Sequence, residues 1–262
     1  MKNISKILIS ALLISFIIVN VKVAQSSYWQ SYLLHDFNSD TYLVPYNEVS
    51  DRISDDFPNL PHTALPLKVV KARYLIHMDS VDKAKIMLYK ALKLHPDHMA
   101  ARQMLGSLFL KEKKYDSAYT YSKTAFIKMP NVNSHRATYF EVLRKLNRTL
   151  ELDEAFEKVK DKSESINHWY DYIFSKVILE NNKEELTTLI NEFKEKFSDE
   201  GADVIATLEN MISIGSRTYS IFSYLSAIGD NYFKDENYEK ASEFYELALD
   251  FNQENYVLYE NL

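Results

Sequence analysis

The sequence predicts an all-α fold in which antiparallel helix pairs stack into a solenoid. Three observations support this prediction. Apolar residues recur at the spacing of an amphipathic helix along most of the chain. Only four glycines and six prolines interrupt 262 residues, which favours long regular elements. A pattern of small and apolar residues also recurs with a period of 34 residues, which is typical of stacked helix pairs.

The first element is an apolar segment, Ile7–Val21, which contains no charged residue and is flanked by lysines. If these lysines reach the interface, residues 4–23 are long enough to span a membrane, which needs about 17–25 residues. A cleaved signal peptide, cut after Ser26, is the alternative. Under both interpretations, the rest of the chain is exported across the membrane. We therefore expect a single-pass membrane protein with a periplasmic domain or, after cleavage, a secreted or periplasmic protein.

This interpretation divides the chain into three parts. Residues 1–24 are the membrane anchor or signal peptide, residues 25–62 are a linker, and residues 63–262 are the helical repeat domain. Aromatic residues near the start of the linker suit a membrane–water boundary. A degenerate helix pair over residues 28–57 is an alternative to an irregular linker.

The clearest helix pair lies between Met99 and Pro130. Its first helix carries Leu105, Gly106 and Phe109, so that large apolar side chains share a face with a small residue. The small residue lies where a second helix must approach closely. A short polar turn and a second amphipathic run follow, and the run ends at Pro130 because proline cannot continue a helix.

Copies of this pattern precede and follow the central pair. Small residues at the helix crossings define each copy, and a proline closes the first two copies. The matching residues are Ala72, Ala84, Ala91 and Pro96 in the first copy, Gly106, Ala118, Ala125 and Pro130 in the second, and Gly229, Ala241 and Ala248 in the last.

The central pair resembles the tetratricopeptide repeat family. The resemblance implies a right-handed superhelical solenoid in which the first helix of each pair lines a concave surface that binds extended partners. A non-repeating helical bundle is the alternative, in which the 34-residue phase would be accidental. The resemblance rests on Leu105, Gly106, Phe109, Tyr115, Ala118, Ala125 and Pro130.

Helix pairs are predicted along the rest of the chain as well. Ala155 lies 37 residues after Ala118, which predicts a turn about three residues longer in the third pair. Three amphipathic helices follow over residues 165–214, with one long helix over residues 202–234 as an alternative. The predicted pairs are 64–77 with 80–94, 98–111 with 115–128, 134–146 with 150–162, and 218–234 with 238–250.

Charge is distributed unevenly along the predicted repeats. Residues 63–149 hold 17 Lys and Arg against 6 Asp and Glu, whereas residues 150–262 hold 10 against 25. The basic half is suited to attract an anionic partner. Solvated helix faces are the alternative explanation.

The sequence contains no recognisable catalytic motif. Cysteine is absent, which excludes disulfides, thiolate catalysis and cysteine-bound metals. There is no G-x-S-x-G, no glycine-rich phosphate loop and no H-E-x-x-H. His95 and His98 lie three residues apart in a predicted turn, where a metal would need further ligands. We therefore expect that the protein is not an enzyme and has no cofactor and no metal site. We also expect no nucleic-acid partner, because the basic half lacks a known nucleic-acid-binding motif.

The family resemblance also implies candidate partner-binding residues on the concave face. Gln103 and Ser107 stand where some family members carry other residues to clamp a carboxylate-terminated peptide, so we do not expect that specificity. The candidates are Arg73 and His77 in the first pair, Gln103, Ser107 and Lys111 in the second, and Arg144 and Lys145 in the third.

Residues 63–160 are also similar to periplasmic repeat segments of bacterial O-antigen-ligase-like proteins, through KARYLI, YDSAYTYSKTAF and LDEAFEKVK. We therefore expect a non-enzymatic scaffold at the bacterial cell envelope that binds another protein or an extended peptide segment. The alternative is an accessory factor in envelope polysaccharide assembly that binds an anionic glycan, whose binding should weaken steeply with salt. A degenerate enzyme subunit, whose partner carries the chemistry, is a third alternative.

Overall fold

The computed structural model describes residues 2–39, 42–53, 66–160, 166–180, 182–197, 202–214 and 219–249. These residues form thirteen α-helices and contain no strand, and the sequence-based predictions over 54–65 and 250–262 lie outside them. The helices are α1 (Lys2–Ser39), α2 (Tyr46–Arg52), α3 (Leu67–His77), α4 (Val81–Leu94), α5 (Met99–Lys111), α6 (Tyr115–Lys128), α7 (Asn133–Lys145), α8 (Thr149–Glu157), α9 (Ile166–Leu179), α10 (Lys183–Lys196), α11 (Ala202–Ile214), α12 (Tyr219–Lys234) and α13 (Tyr238–Leu249).

The chain forms two compact units, Met1–Ala125 and Phe126–Leu262, here called unit 1 and unit 2. The predicted helices of the first, second and last pairs are confirmed to within a few residues at their ends. The region between the third and last pairs holds α9, α10 and α11. Helix α11 ends at Ile214 and α12 begins at Tyr219, and residues 215–218 lie outside the described ranges.

One turn recurs in four helix pairs and sets their period. Three residues separate α3 from α4, α5 from α6, α7 from α8 and α12 from α13. The third turn residue donates its N–H to a carbonyl five residues earlier, which satisfies an otherwise unpaired helix-end carbonyl. The middle residues have left-handed backbones: Asp79 (φ 54°), Lys113 (φ 57°), Asn147 (φ 54°) and Glu236 (φ 58°). The closing bonds join Ser80 to Leu75 (2.7 Å), Lys114 to Phe109 (2.9 Å), Arg148 to Leu143 (2.9 Å) and Asn237 to Tyr232 (2.9 Å).

The longer turn predicted for the third pair is wrong. Asp79, Lys113 and Asn147 are spaced by 34 residues each, so the period continues unchanged through α8. The residue equivalent to Ala118 is Leu152, not Ala155, and it is fully buried. The prediction failed because the third pair carries large residues, such as Phe140, at crossings where the other pairs have Gly or Ala. Matching small residues then selected Ala155, one helical turn away on the same face.

The core of the helix pairs in unit 1 lies between α3, α4 and α5, where Ala72, Ala84 and Leu105 are fully buried. Gly106 has a steric role in the next crossing, because a Cβ there would lie 3.2 Å from the backbone nitrogen of Ser122 on α6. A side chain at this position would therefore require α6 to shift by a few tenths of an ångström.

Helix α1 combines an exposed half and a packed half in one continuous element. The apolar side chains between residues 6 and 22 are exposed, whereas Leu33 packs against Val49 of α2 and Val70 of α3. The buried carboxylate of Asp36 accepts hydrogen bonds from the Tyr74 hydroxyl (2.6 Å) and from a backbone N–H (3.0 Å). Helix α1 therefore crosses residue 24, where the sequence places the boundary between anchor and linker.

In unit 2, α9 packs against α7, α8, α10 and α11. Aromatic rings fill these contacts, because Phe156 of α8 stacks on Tyr172 at 3.8 Å and Trp169 stacks on Phe193 of α10 at 6.1 Å. The third helix of the region, α11, contacts α9, α10 and α12. It therefore links α9 and α10 to the last pair.

Candidate functional site

Arg73 and His77, the candidates on α3, contact a residue from outside the repeats, although His77 stays exposed. The ring of Tyr42 stacks on the His77 imidazole with 4.0 Å between centroids and 12° between planes. The Tyr42 hydroxyl accepts a hydrogen bond from Nε of Arg73 (3.0 Å), and its ring packs edge-on against Tyr74 (5.1 Å). The backbone of Tyr42 is left-handed (φ 47°), which is uncommon for a bulky residue.

The candidates on α5 share one helix face. Gln103, Ser107 and Lys111 follow one another at four-residue spacing, so their side chains lie one above the other. Gln103 and Ser107 are half-buried and Lys111 is exposed. This face is polar along its length.

The candidates on α7, Arg144 and Lys145, line an open cavity of about 290 Å³ in unit 2. Helices α7, α9 and α13 form its walls, although α13 belongs to the last pair. The lining residues are Ala137, Phe140, Glu141, Arg144 and Lys145 of α7, Tyr170, Asp171, Phe174 and Ser175 of α9, and Glu243, Glu246 and Leu247 of α13.

One wall of the cavity is aromatic and holds a buried cation. Phe174 is almost completely buried, and its ring stacks with that of Tyr170 at 5.7 Å. The Arg144 guanidinium lies 5.3 Å from the centroid of the Phe174 ring and 3.9 Å from the Glu141 carboxylate. Only 7% of the Arg144 side chain is exposed, so packing on α9 fixes its position.

The other polar residues of the cavity are mostly carboxylates. Burial raises the pKa of Asp171 to about 6, although the Arg136 guanidinium, 3.4 Å away, opposes this rise. Burial within the cavity also raises the pKa of Glu243, even though its side chain reaches solvent. Glu239 and Glu246 add to that rise and Lys240 opposes it. Negative charge is therefore crowded where α9 faces α13.

A buried polar cluster lies behind the cavity, between α7 and α9. Arg136, with 1% of its side chain exposed, bonds to Asp171 and to the Asn133 side chain (3.3 Å). Nε2 of His168 is 3.1 Å from the same Asn133 oxygen. Burial, together with the charges of Arg136 and Lys196, lowers the pKa of His168 to about 4, so the imidazole is neutral at pH 7. This cluster fixes Asp171 relative to α7.

Sequence reasoning missed the cavity residues on α9 and α13. Continuing the 34-residue phase from Ala137 and Phe140 would have identified Asp171 and Phe174. No comparable local signal points to Glu243 or Glu246, because they lie on the second helix of a distant pair. Among the described residues, no group of three or more His, Cys, Asp or Glu is arranged to hold a metal ion.

Comparisons with known proteins bear on the fold. A family model of the tetratricopeptide repeat matches residues 222–255. A crystal structure of a tetratricopeptide repeat protein from Parabacteroides merdae ATCC 43184 superposes with a TM-score of 0.56 at 13% identity, covering 90% of this chain and 96% of that chain. Among curated proteins, no significant match to the sequence was found.

Two further solved structures are more distant. YrrB, a tetratricopeptide repeat protein with an unusual peptide-binding site, gives a TM-score of 0.45 at 16% identity and covers 83% of this chain and 97% of its own. A repeat protein from Thermus thermophilus gives 0.40 at 16% identity, with 74% and 94% covered. The similarity to O-antigen-ligase-like segments stays a prediction from the sequence.

The helix pairs, their recurring turn and the Parabacteroides match agree on one architecture. The all-α fold predicted from the 34-residue period is therefore confirmed. The chain has the fold of tetratricopeptide repeat proteins and carries a repeat of that family at residues 222–255.

Proposed function

We propose that this protein is a membrane-anchored, non-enzymatic scaffold that holds an extended segment of another protein in the cavity between α7, α9 and α13. The observation that carries the proposal is the cavity itself, which joins an aromatic wall with charged side chains from three helices. Its volume of about 290 Å³ is at the lower end of small-molecule sites, which span roughly 300–1,000 Å³. Such a space suits one or two side chains of a bound segment.

The serine hydroxyl of the cavity supports a binding role over a catalytic one. Ser175 donates its hydroxyl hydrogen to the backbone carbonyl of Asp171 (2.7 Å), within its own helix. A nucleophilic serine needs a base at this distance instead. Tetratricopeptide repeats generally serve as interaction scaffolds, which agrees with this view.

Helix α1 supports the membrane anchor. Lys6–Asp36 is long and apolar enough to cross a membrane. Its most apolar stretch of 18 residues has a mean hydropathy of 2.4, and none of that stretch is buried in the protein. We propose that residues 4–23 insert in the membrane and that the repeat units lie in the periplasm. A signal sequence has the same composition, and a cut after Ser26 would release the domain. Carbonate extraction and the mass of the mature protein decide between the two outcomes.

Site-directed crosslinking tests the scaffold function. A photo-crosslinking amino acid replaces Lys145 in the cavity of the full-length protein, and the matched control carries it at Glu154, which is exposed on α8. We expect a discrete adduct with one protein in cell membranes from position 145 alone. The same adducts from both positions, or none from position 145, would overturn the proposal.

The second candidate function is binding of an anionic glycan during envelope polysaccharide assembly. The observation that favours it is the excess of 17 cationic over 6 acidic residues in the stretch 63–149. Retention on a column of immobilised dextran sulfate, eluted with increasing NaCl, tests it. Strong retention lost at moderate salt supports the glycan function, because screening weakens exposed charge pairs. If the protein passes through the column unretained at low salt, the glycan function is excluded.

A further inference from the structure

We infer that the cavity of unit 2 selects a peptide segment carrying a Lys or Arg side chain next to an apolar one. This inference rests on the proposed function and specifies its partner. It differs from the expectation drawn from the sequence, in which the cations of the concave face attract an anionic partner.

The first step is the charge balance of the lining. Four carboxylates, those of Glu141, Asp171, Glu243 and Glu246, face two cations, Arg144 and Lys145. Both cations lie on α7, and Arg144 is already placed against Glu141 and the Phe174 ring. The lining alone therefore carries an excess of negative charge.

The second step locates this excess. Arg136, just outside the lining, compensates Asp171 at 3.4 Å. On α13, Glu239, Glu243 and Glu246 face a single cation, Lys240, whose ammonium lies 5.1 Å over the Tyr232 ring. Within the described residues, neither Glu243 nor Glu246 makes a hydrogen bond or an ion pair. The uncompensated charge thus lies on the α13 wall, where a cation of the partner would be attracted.

The third step concerns the apolar contact. Tyr170 is half-buried and offers aromatic surface to the cavity, which the almost completely buried Phe140 and Phe174 also line. The aliphatic stem of Lys or Arg and a neighbouring apolar side chain fit such a wall, since long cationic side chains bury their stems against apolar surface and keep the charge in a polar environment. An acidic peptide would instead place its carboxylates against Glu243 and Glu246 at a cost.

Peptide selection tests the inference. A random-peptide phage library is panned against full-length protein in detergent, and in parallel against the Glu243→Lys/Glu246→Lys variant. The matched control is Glu184→Lys/Glu195→Lys, which makes the same change of charge at exposed positions of α10. We expect Lys and Arg to be enriched in peptides from the wild type and the control, and Asp and Glu in those from the α13 variant.

The affinity of one selected cationic peptide, measured by fluorescence anisotropy, provides the quantitative test. We expect roughly tenfold weaker binding to the α13 variant and unchanged binding to the α10 control. The milder Glu243→Gln/Glu246→Gln variant should give an intermediate loss, and circular dichroism confirms that each variant is folded.

The outcomes separate the two proposals. Peptides that crosslink at position 145 but show no enrichment of Lys or Arg would overturn this inference and leave the scaffold function standing. Failure to select any peptide that crosslinks there would overturn both.

Discussion

Helices α3 and α7 occupy equivalent positions in their pairs, but only the candidate residues of α7 line a cavity. On α3, the ring of Tyr42 packs on Arg73 and His77, although His77 keeps an exposed side chain. On α7, Arg144 and Lys145 line the cavity shared with α9 and α13. Position in the repeat therefore determines which way a side chain faces, whereas residues outside the pair determine what that side chain contacts.

The largest expected effect comes from the wall of the open cavity. Phe174→Ala removes a buried ring that packs on Tyr170 and supports Arg144. We expect a loss of about 3 kcal/mol in the free energy of unfolding, because such truncations leave a void. Urea denaturation measures the loss. Phe174→Leu keeps most of the volume and should cost less than about 1.5 kcal/mol; equal losses in both variants would show that the ring does not support the wall.

The next effect concerns the pH dependence of the stability of unit 2. Two groups contribute to it, and their contributions change with pH in opposite directions. The pKa of Asp171 is raised to about 6 in the folded protein, so its contribution to stability is lost as pH rises from about 4 to 6. The pKa of His168 is lowered to about 4, so its contribution is lost as pH falls from about 6.5 to 4. Both groups face Arg136, and Asp171 also faces Arg144 and Glu243.

We therefore expect the unfolding free energy of the wild type to change little between about pH 4.5 and 6.5. His168→Gln should unmask a decrease in stability with rising pH, and Asp171→Asn a decrease with falling pH, each of at most about 1.4 kcal/mol per pH unit. Urea midpoints at three pH values measure both slopes. Parallel profiles for the two variants would contradict the assignment.

A smaller effect is expected where Tyr42 packs on α3. Tyr42→Ala should cost about 1–2 kcal/mol, because it removes the stacking on His77 and the hydrogen bond from Arg73. His77 should then react severalfold faster with diethyl pyrocarbonate, as followed by mass spectrometry. Tyr89→Ala, at an exposed position of α4, serves as the control. An unchanged rate at His77 would mean that Tyr42 does not shield this face.

The smallest effect lies in the recurring turn. Lys113 in unit 1 and Asn147 in unit 2 have the same left-handed backbone, which costs a lysine more than an asparagine. We expect Lys113→Gly to raise stability by roughly 0.5–1 kcal/mol, and Asn147→Gly to change it less. Thermal unfolding of both variants gives the comparison, and a larger gain at Asn147 would contradict this explanation.

The parts of the fold that local spacing encodes could be predicted. The period of 34 residues identified the helix pairs, since Gly106 and the alanines mark the crossings by their size. The same reliance on small residues misplaced the third pair, where Phe140 and Leu152 fill the crossing. The 34-residue period could have identified Asp171 and Phe174, but it could not have shown that they line a cavity.

The α13 wall and the contact of Tyr42 with α3 could not be predicted in this way. Glu243 reaches the cavity only because helices far apart in sequence approach each other in space, and helical periodicity carries no information on that approach. Tyr42 reaches His77 from a segment outside the repeat. Both features depend on tertiary structure.

Helix α1 is a single element of 38 residues, about 57 Å long at 1.5 Å per residue. Its exposed apolar half and the half that packs on α2 and α3 belong to one continuous helix, so no flexible segment separates them. A protein tethered by a flexible linker samples every orientation above the bilayer. If residues 4–23 insert in the membrane as proposed, rotation or tilt of the inserted segment would instead act as a lever on unit 1, and torque or lateral tension in the membrane would reach Leu33 and Asp36 directly. Such an anchor would set an orientation as well as a location.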